Sequence, residues 1–441
     1  MTTKSLDQIY QIHLKGELDR AEGLYLAAPR SSQRDMLLGT MYVQAEQYGR
    51  AEKYLRASLD VPKKMAYSNL IMALRKIGNF EEGINVGGEA IDIWGLEDPE
   101  LCALYSNLAS SYIENGELEK AIEILDKSIK AKPDHVDSLW NRGIAKLGLG
   151  DWSGWEGFDQ GFNAKERGMA SVVHEIEDYN GEDLTDKTIL VWGEQGLGDE
   201  ILFAGALNDL KKDAGHVIFE CHPRLESLYK RSFPDIEVVG SRKSQNRARW
   251  DDRDIDYHSA IGTLQQFYRK KDADFPTKGY LKADSERVQY WKDQFPGQKL
   301  VGLSWRGGVQ KTGGFKRSMP LTDFMPPSID RVQYISLQYG NVFEETIDHD
   351  LFHDEAAIED LDDLAALISA CDIVVSVIQT NVHLAGALDV PTWCLTPKSA
   401  PWKFQRGEKM IWHPSVRQFH QTDSWKEVAQ RVHAELTRTL S

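Results

Sequence analysis

Asp199 is the residue whose position most clearly suggests chemistry, because it closes the glycine-rich segment Gly193–Asp199 between an apolar predicted strand and a predicted helix. Gly196 and Gly198 permit positive φ and close approach of the backbone to a ligand. The N–H groups of the loop and the positive end of the helix would then face an anion or a polar ligand. In this position Asp199 could act as a general base toward an acceptor hydroxyl, or it could simply cap the helix.

A dinucleotide site is a second interpretation of the same loop. Glu220 ends the next predicted strand, where an acid that binds a ribose would lie. Against this interpretation, Ile201 stands at the third glycine position of that fingerprint, and Asp199 would place a negative charge beside the pyrophosphate. The interpretation predicts dinucleotide binding at Gly196, Gly198 and Glu220.

A basic segment follows a later predicted strand in an otherwise acidic chain. It runs from Arg306 to Ser318 and contains the cations Arg306, Lys311, Lys316 and Arg317 among several glycines. Such a loop can fold over phosphates, since arginine gives bidentate contacts and lysine a point charge. The alternative is an exposed, solvated loop.

The segment Ser376–Leu388 joins an apolar strand to a helix of small residues. Thr380 or Asn381 can cap this helix, and the free N–H groups at its start would also face an anion. His383 lies one turn into the helix, where it is either part of a site or a core histidine.

These segments need a scaffold, and from residue 187 onward short β-branched runs alternate with helical patterns. The predicted strands are Thr188–Trp192, His216–Glu220, Ile236–Val239, Leu300–Trp305, Val332–Leu337, Asp372–Val377 and Thr392–Leu395. The alternation indicates parallel sheets with crossover helices. We predict two Rossmann-like domains, 187–283 and 284–441, with Asp284–Phe295 as a linking helix and Trp425–Leu440 as a bracing C-terminal helix.

The N-terminal part contains a repeated pattern instead. Copies begin at Gly16, Gly78, Gly116 and Gly150, with a weaker copy at Glu46. The last residues of successive six-residue copies are 30, 32, 38 and 34 residues apart. Each distance is about the length of one helical hairpin. The spacing predicts a helical solenoid over 1–165, followed by a linker over 166–186. The fold class is therefore α plus α/β.

Composition excludes several classes of protein. The chain of 441 residues has 52 Lys+Arg against 68 Asp+Glu and a formal net charge of -16, which argues against general affinity for nucleic acid or an anionic membrane. The 4 cysteines form no CxxC pair, so a zinc site or disulfide framework is disfavoured. We see no signal peptide or membrane-spanning run. We expect a cytoplasmic protein with no metal site and no cofactor.

The repeats resemble the tetratricopeptide repeat, most clearly from Cys102 to Lys132. There Tyr105, Leu108, Ala109 and Tyr112 recur at helical spacing before a second helix. The resemblance implies an array whose concave face binds a protein or peptide.

The later motifs resemble the heptosyltransferase-like glycosyltransferases, and the whole order resembles bacterial tetratricopeptide-repeat proteins that end in such a domain. The motifs are Gln195-Gly196-Leu197-Gly198-Asp199, Gly302-Leu303-Ser304-Trp305, Arg317-Ser318, Ser336-Leu337-Gln338, Asp360 with Asp363, and His383-Leu384-Ala385-Gly386-Ala387-Leu388. The resemblance implies the two-domain GT-B fold, with the acceptor side on the first sheet and a nucleotide-sugar donor on the second.

The same resemblance implies roles for single residues. Asp199 would be the catalytic base, in the loop that contains Gly196 and Gly198. The donor site would be formed by Arg306, Lys316, Arg317, Ser318, Gln338, Thr380, Asn381 and His383. The expected activity is transfer of a sugar from a nucleoside-diphosphate sugar to a hydroxyl of a protein, peptide or glycan, with inversion and without a metal.

One departure keeps a rival function open. Many relatives have an Asp-Thr pair before the second helix, whereas this chain has Ile378, Gln379 and Thr380. Loss of that carboxylate leaves the donor undetermined. The alternative is a non-catalytic adaptor, in which the repeats bind a protein and the C-terminal domain is a degenerate GT-B fold.

Overall fold

The computed structural model describes residues 4–95, 97–164, 176–241, 250, 253–308, 314–404 and 407–441. The chain divides into two compact units, Met1–Ala164 and Lys165–Ser441.

The N-terminal unit consists of helices that pair as consecutive antiparallel hairpins. They are α1 (Leu6–Leu14), α2 (Leu18–Ala27), α3 (Ser32–Gln44), α4 (Tyr48–Arg56), α5 (Lys64–Lys76), α6 (Phe80–Trp94), α7 (Cys102–Glu114), α8 (Leu118–Ala131), α9 (Val136–Gly148), α10 (Trp155–Phe158) and α11 (Gln160–Asn163). The first helices α3, α5, α7 and α9 also pack against one another in sequence. The hairpins therefore stack, and each one covers the apolar side of its neighbour.

The repeated glycines form the turns inside these hairpins. Gly16, Gly78 and Gly116 have φ of 80°, 86° and 80°, in the left-handed region that a residue without Cβ adopts at little cost. In the weaker copy Glu46 occupies the same turn with φ 56°. The chain thus keeps the hairpin geometry there without glycine, at a cost of about 1 kcal/mol.

The first sheet of the C-terminal unit has five parallel strands in the order β1-β5-β2-β3-β4. They are β1 (Glu177–Asp178), β2 (Thr188–Trp192), β3 (His216–Cys221), β4 (Glu237–Gly240) and β5 (Tyr257–Ala260). The central strand β2 is apolar and almost wholly buried, as expected for a parallel strand covered on both faces.

The second sheet has six strands in the order β10-β11-β9-β8-β6-β7. They are β6 (Lys299–Ser304), β7 (Val332–Ser336), β8 (Ile373–Val377), β9 (Thr392–Thr396), β10 (Lys409–Met410) and β11 (His413–His420). All neighbours are parallel except the edge pair β10 and β11.

Helices cover both sheets. They are α12 (Leu197–Phe203), α13 (Leu207–Asp213), α14 (Glu226–Ser232), α15 (Gln265–Tyr268), α16 (Ser285–Asp293), α17 (Leu321–Phe324), α18 (Phe343–Thr346), α19 (Glu355–Glu359), α20 (Leu361–Ala370), α21 (Thr380–Ala387) and α22 (Trp425–Leu440). Helix α12 after β2 packs against α21 after β8, so the loops at the carboxyl ends of the two sheets meet. The C-terminal helix α22 packs its buried face into the core of the second sheet.

The seven predicted strands are confirmed, with ends shifted by one residue at most. The sequence did not indicate β1, β5, β10 and β11. Strand β1 lies inside the segment 166–186 predicted as a linker, of which 166–175 fall outside the described residues; its two residues are exposed and acidic. Strand β5 (Tyr-His-Ser-Ala) contains no β-branched residue. Both strands form because neighbouring strands pair with them, not because of their own propensity.

Candidate functional site

The glycine loop after β2 approaches the start of α21 closely. A Cβ on Gly198 would lie 3.2 Å from Cδ2 of His383 and 3.4 Å from Cα and Oγ1 of Thr380, so only glycine leaves these elements ordinary packing distance. The positive φ in the loop belongs to Gln195 at 55°, not to Gly196 or Gly198. Close approach, rather than an unusual backbone conformation, is therefore what requires glycine at 198.

The carboxylate of Asp199 has a different partner on each oxygen. Oδ2 accepts a hydrogen bond from the backbone N–H of Gly196 at 3.3 Å, which is the helix-capping arrangement. Oδ1 forms an ion pair with Nζ of Lys403, a residue that follows β9. The side chains of Asp199 and Lys403 are 24% and 13% exposed, so the pair is largely buried with one side open to solvent. It lies where the loops at the carboxyl ends of the two sheets meet, and this region is the candidate cleft.

An aromatic cluster holds Lys403 against Asp199. Nζ of Lys403 lies 5.7 Å from the ring centroid of Phe203 and 5.6 Å from that of Trp402, within the range of cation–π attraction. Phe203 belongs to α12, and its ring stacks on Trp402 at 6.5 Å between centroids. Trp412 packs edge-on against both rings. The cluster therefore joins the first sheet to the second behind the ion pair.

The basic turn lies near the same carboxylate. Lys316 and Arg317 belong to the short 3-10 helix Gly314–Arg317, while residues 309–313 fall outside the described part of the chain. Burial lowers the pKa of Arg317, and the charges of Tyr339 and Asp199 act in the opposite direction. A guanidinium remains protonated under such shifts, so Arg317 is a half-buried cation within electrostatic reach of Asp199.

Ser318 shapes this turn through its hydroxyl. Its Oγ accepts a hydrogen bond from the N–H of Gly307 at 3.1 Å and donates one to the carbonyl oxygen of Gly314 at 2.7 Å. Arg306 lies at the other end of the loop, where its guanidinium pairs with Glu345 at 3.0 Å. Glu345 therefore offsets much of the charge of Arg306.

Gln338 and Asn381 fix the loops at the ends of neighbouring strands. Oε1 of buried Gln338 accepts from the N–H groups of Trp305 and Arg306 at 3.0 and 2.8 Å. Nδ2 of Asn381 donates to Oγ of Ser304 at 3.0 Å and to a backbone carbonyl that follows β7 at 2.6 Å. Both side chains thus position the candidate donor site through backbone and strand contacts.

Two buried histidines lie behind the start of α21. His383 and His413 have ring centroids 5.6 Å apart, and they are 5% and 1% exposed. Nδ1 of His383 and both ring nitrogens of His413 have no hydrogen-bond partner among the described residues. Burial, assisted by the charge of Lys403, lowers the pKa of His383 to about 3. Burial also lowers the pKa of His413 well below its usual value, with His383 contributing. Both rings are therefore neutral near pH 7.

The structure gives Glu220, the acid of the dinucleotide interpretation, other partners. Its carboxylate accepts from Oγ of Ser241 at 2.8 Å and from Nε1 of Trp250 at 3.4 Å, and the side chain is fully buried. These bonds hold Ser241 and Trp250 to β3. Glu220 therefore braces the first sheet, which removes the main support for that interpretation.

Of the residues predicted from sequence, Gly198 and Asp199 lie beside Thr380 and His383 at the start of α21, and Arg317 is within electrostatic reach of Asp199. Sequence reasoning missed Lys403, whose only signal is a cation between two aromatic residues. Within the described ranges no group of three or more His, Cys, Asp or Glu side chains could hold a metal ion. Among those same residues, no helix is both long and apolar enough to cross a membrane.

A second candidate surface lies in the N-terminal unit, where asparagines link the first helices of the hairpins. Asn69 in α5, Asn107 in α7 and Asn141 in α9 each donate through Nδ2 to a hydroxyl on the preceding first helix. The acceptors are Thr40, Ser68 and Ser106, at 2.8, 3.0 and 2.8 Å respectively. No residue in the described part of the chain donates to their Oδ1 atoms, so this row presents regularly spaced hydrogen-bond acceptors.

Comparison with known proteins supports the repeat assignment. The family model described as tetratricopeptide repeat matches residues 103–135, which contain α8 and all of α7 except its first residue. The chain is 28% identical over 435 residues to Protein FlbA of Caulobacter vibrioides, and the match covers 83% of this chain and 71% of FlbA. A shorter match, 38% identical over 60 residues, is to the mitochondrial import receptor subunit TOM70 of Saccharomyces cerevisiae, covering 14% of this chain and 10% of TOM70.

Among solved structures, the crystal structure of MamA is similar with 23% identity and a TM-score of 0.32, covering 37% of this chain and 98% of MamA. The family match confirms a tetratricopeptide repeat at residues 103–135 of the N-terminal unit. The mixed helical and parallel-sheet content that follows is also as predicted. The glycosyltransferase assignment of the C-terminal unit stays a prediction.

Proposed function

We propose that this protein is a glycosyltransferase that moves a sugar from a nucleoside-diphosphate sugar to a hydroxyl of a polypeptide bound by its repeats. The observation that carries the proposal is that three features of the C-terminal unit lie near one another at the candidate cleft. These are a carboxylate at Asp199, the half-buried cation Arg317, and the N-terminal end of α21. A base opposite an anion site is the arrangement that transfer from a diphosphate donor needs.

In the proposed reaction the acceptor hydroxyl oxygen attacks the anomeric carbon on the face opposite the diphosphate, so the configuration inverts. The hydroxyl proton passes to a carboxylate oxygen of Asp199 as the new C–O bond forms. The C–O bond to the diphosphate breaks, and the departing nucleoside diphosphate keeps the electron pair. Arg317, Lys316 and the N–H groups at the start of α21 stabilise the charge that accumulates on its oxygens.

The start of α21 has features that support anion binding. Gln379 precedes the helix without making a side-chain cap, and its Oε1 has no hydrogen-bond partner within the described residues. No capping oxygen from Gln379 therefore competes with an anion for the backbone N–H groups of the first turn. Because Gln379 is neutral where many relatives have aspartate, this chain also lacks a carboxylate that would repel a phosphate.

The repeat unit supports a role in acceptor binding. The row formed by Asn69, Asn107 and Asn141 offers acceptors to the backbone N–H groups of an extended polypeptide, which every peptide carries whatever its sequence. Binding of the acceptor to the same chain as the cleft raises its effective concentration there. This proposal accounts for a repeat unit and a cleft within one polypeptide.

Donor binding tests the proposed function. We expect wild-type protein to bind at least one member of a panel of UDP-, GDP-, ADP- and CMP-sugars by calorimetry. Arg317→Met should weaken that binding by about 10- to 100-fold, because a charge-assisted contact to phosphate contributes roughly 1.5–3 kcal/mol. Arg331→Met, which removes a highly exposed arginine preceding β7, is the matched control and should bind as wild type does.

Failure of the whole panel to bind would contradict the glycosyltransferase proposal. It would favour the adaptor, because a degenerate domain retains its packing without a donor. Binding that Arg317→Met leaves unchanged would move the donor away from the basic turn.

The asparagine row gives a prediction about the acceptor. Asn107→Ala combined with Asn141→Ala should weaken binding of the full chain to an array of unstructured 15-residue peptides by about tenfold or more, since each lost hydrogen bond contributes about 1 kcal/mol. Asn85→Ala on the exposed side of α6 is the control and should leave peptide binding unchanged. Equal binding by the double variant and wild type would exclude the row from the acceptor site.

A further inference from the structure

The cleft places a requirement on charge that the proposed reaction alone does not explain. A carboxylate base and a diphosphate donor are both negative, and they must lie within a few ångströms of the same anomeric carbon. In a partly buried cleft two such charges repel each other strongly, because solvent screens them less than at the surface. The donor therefore binds poorly unless a cation offsets the charge of Asp199.

Lys403 has the position of such a cation. Its Nζ contacts Oδ1 of Asp199, and its charge also reaches His383 in the first turn of α21. The lysine therefore lies close to both the candidate base and the candidate anion site. The side chain of Lys403 is only 13% exposed. Its contacts with the rings of Phe203 and Trp402 keep it in this position.

We propose that Lys403 is a charge-compensating residue of the donor site, which neutralises Asp199 so that a polyanionic nucleotide can bind beside it. This inference rests on the proposed function, since it assigns a role within the same cleft. Lys403 acts through Asp199, and no direct contact with the nucleotide is needed. Removing the lysine is harmful only while the carboxylate is present.

A double-mutant cycle on nucleotide binding tests this role without requiring turnover. The probes are UDP, GDP, ADP and CMP, titrated by calorimetry into wild type, Lys403→Met, Asp199→Asn and the double variant. We expect Lys403→Met to weaken the best nucleotide by about tenfold or more. Asp199→Asn should bind at least as well as wild type, and the double variant should recover most of the loss. Lys403→Arg, which keeps the charge, should stay within about threefold of wild type.

The possible outcomes separate the two proposals. If Lys403→Met binds as tightly as wild type, the role of Lys403 is wrong while donor binding stands. If the double variant binds as weakly as Lys403→Met, the lysine contacts the nucleotide directly and charge compensation is excluded. If wild type binds none of the four nucleotides, the proposed function itself fails and this role fails with it. Recovery in the double variant also excludes misfolding as the cause of the loss.

Discussion

Asp199→Asn is expected to lower kcat for sugar transfer by about 10² to 10⁴-fold, the usual contribution of a general base. Asparagine keeps the size of the side chain and can still accept the hydrogen bond from Gly196. It cannot take the proton from the acceptor hydroxyl at neutral pH. The Michaelis constant for the donor should not rise, because the substitution removes a negative charge from the neighbourhood of the diphosphate.

Two further variants make this result specific to Asp199. Asp235→Asn changes an exposed acid of the first-sheet region and should transfer at the wild-type rate. Asp199→Glu keeps a carboxylate but displaces it, so its rate should lie between those of wild type and Asp199→Asn. Near-full transfer by Asp199→Asn would remove Asp199 from the role of base and leave it the helix cap that the hydrogen bond to Gly196 describes.

The parts of the site that sequence predicted share one property. Asp199, Thr380 and His383 lie in the first turns of helices that follow apolar strands after short loops. The carboxyl ends of parallel strands in such sheets face the ligand crevice. The local sequence pattern therefore predicts the positions of these residues, because the strand, loop and helix that hold each of them are contiguous in the chain. Their meeting across two sheets follows from the packing of α12 on α21.

Lys403 shows where this reasoning ends. It is separated from Asp199 by 204 residues, and its two aromatic neighbours in the sequence do not by themselves indicate a site. Its position depends on Trp402, Phe203 and Trp412, which come from different elements and meet only in the folded chain. Long-range packing of this kind leaves no periodic signal in a single sequence.

Gln338 was predicted from the sequence, but its contacts in the structure differ from the predicted role. Its motif indicated a donor-binding residue, yet its side chain hydrogen-bonds to main-chain groups of Trp305, Arg306 and Tyr339. Its backbone N–H donates to the hydroxyl of Ser336. The buried backbone N–H and C=O groups near the end of this strand need hydrogen-bond partners. The side-chain amide of Gln338 can both accept and donate, which accounts for glutamine at this position. The same residue type could bind a ligand, so sequence alone does not separate the two roles.

The buried histidines predict a marked loss of stability in mild acid. An unfolded histidine has a pKa of about 6.5, whereas His383 in the folded chain has a pKa of about 3. Between pH 6.5 and 5.0 the histidine is therefore protonated in the unfolded state but stays neutral in the folded state. The free energy of unfolding falls as the pH falls. His383 alone should lower the free energy of unfolding by about 2 kcal/mol at pH 5.0 relative to pH 7.5. His413 adds to this loss in the same direction.

Urea unfolding followed by tryptophan fluorescence at pH 7.5 and 5.0 measures this loss, and a matched pair at pH 8.5 and 7.5 is the control interval in which these histidines do not titrate. His383→Gln should reduce the difference between pH 7.5 and 5.0 by about 2 kcal/mol whatever its effect on stability at pH 7.5. An unchanged difference in that variant would mean that His383 can be protonated within the folded cleft. That result would place a second positive charge beside Lys403, so the neutrality of His383 bears directly on how many charges a donor meets there.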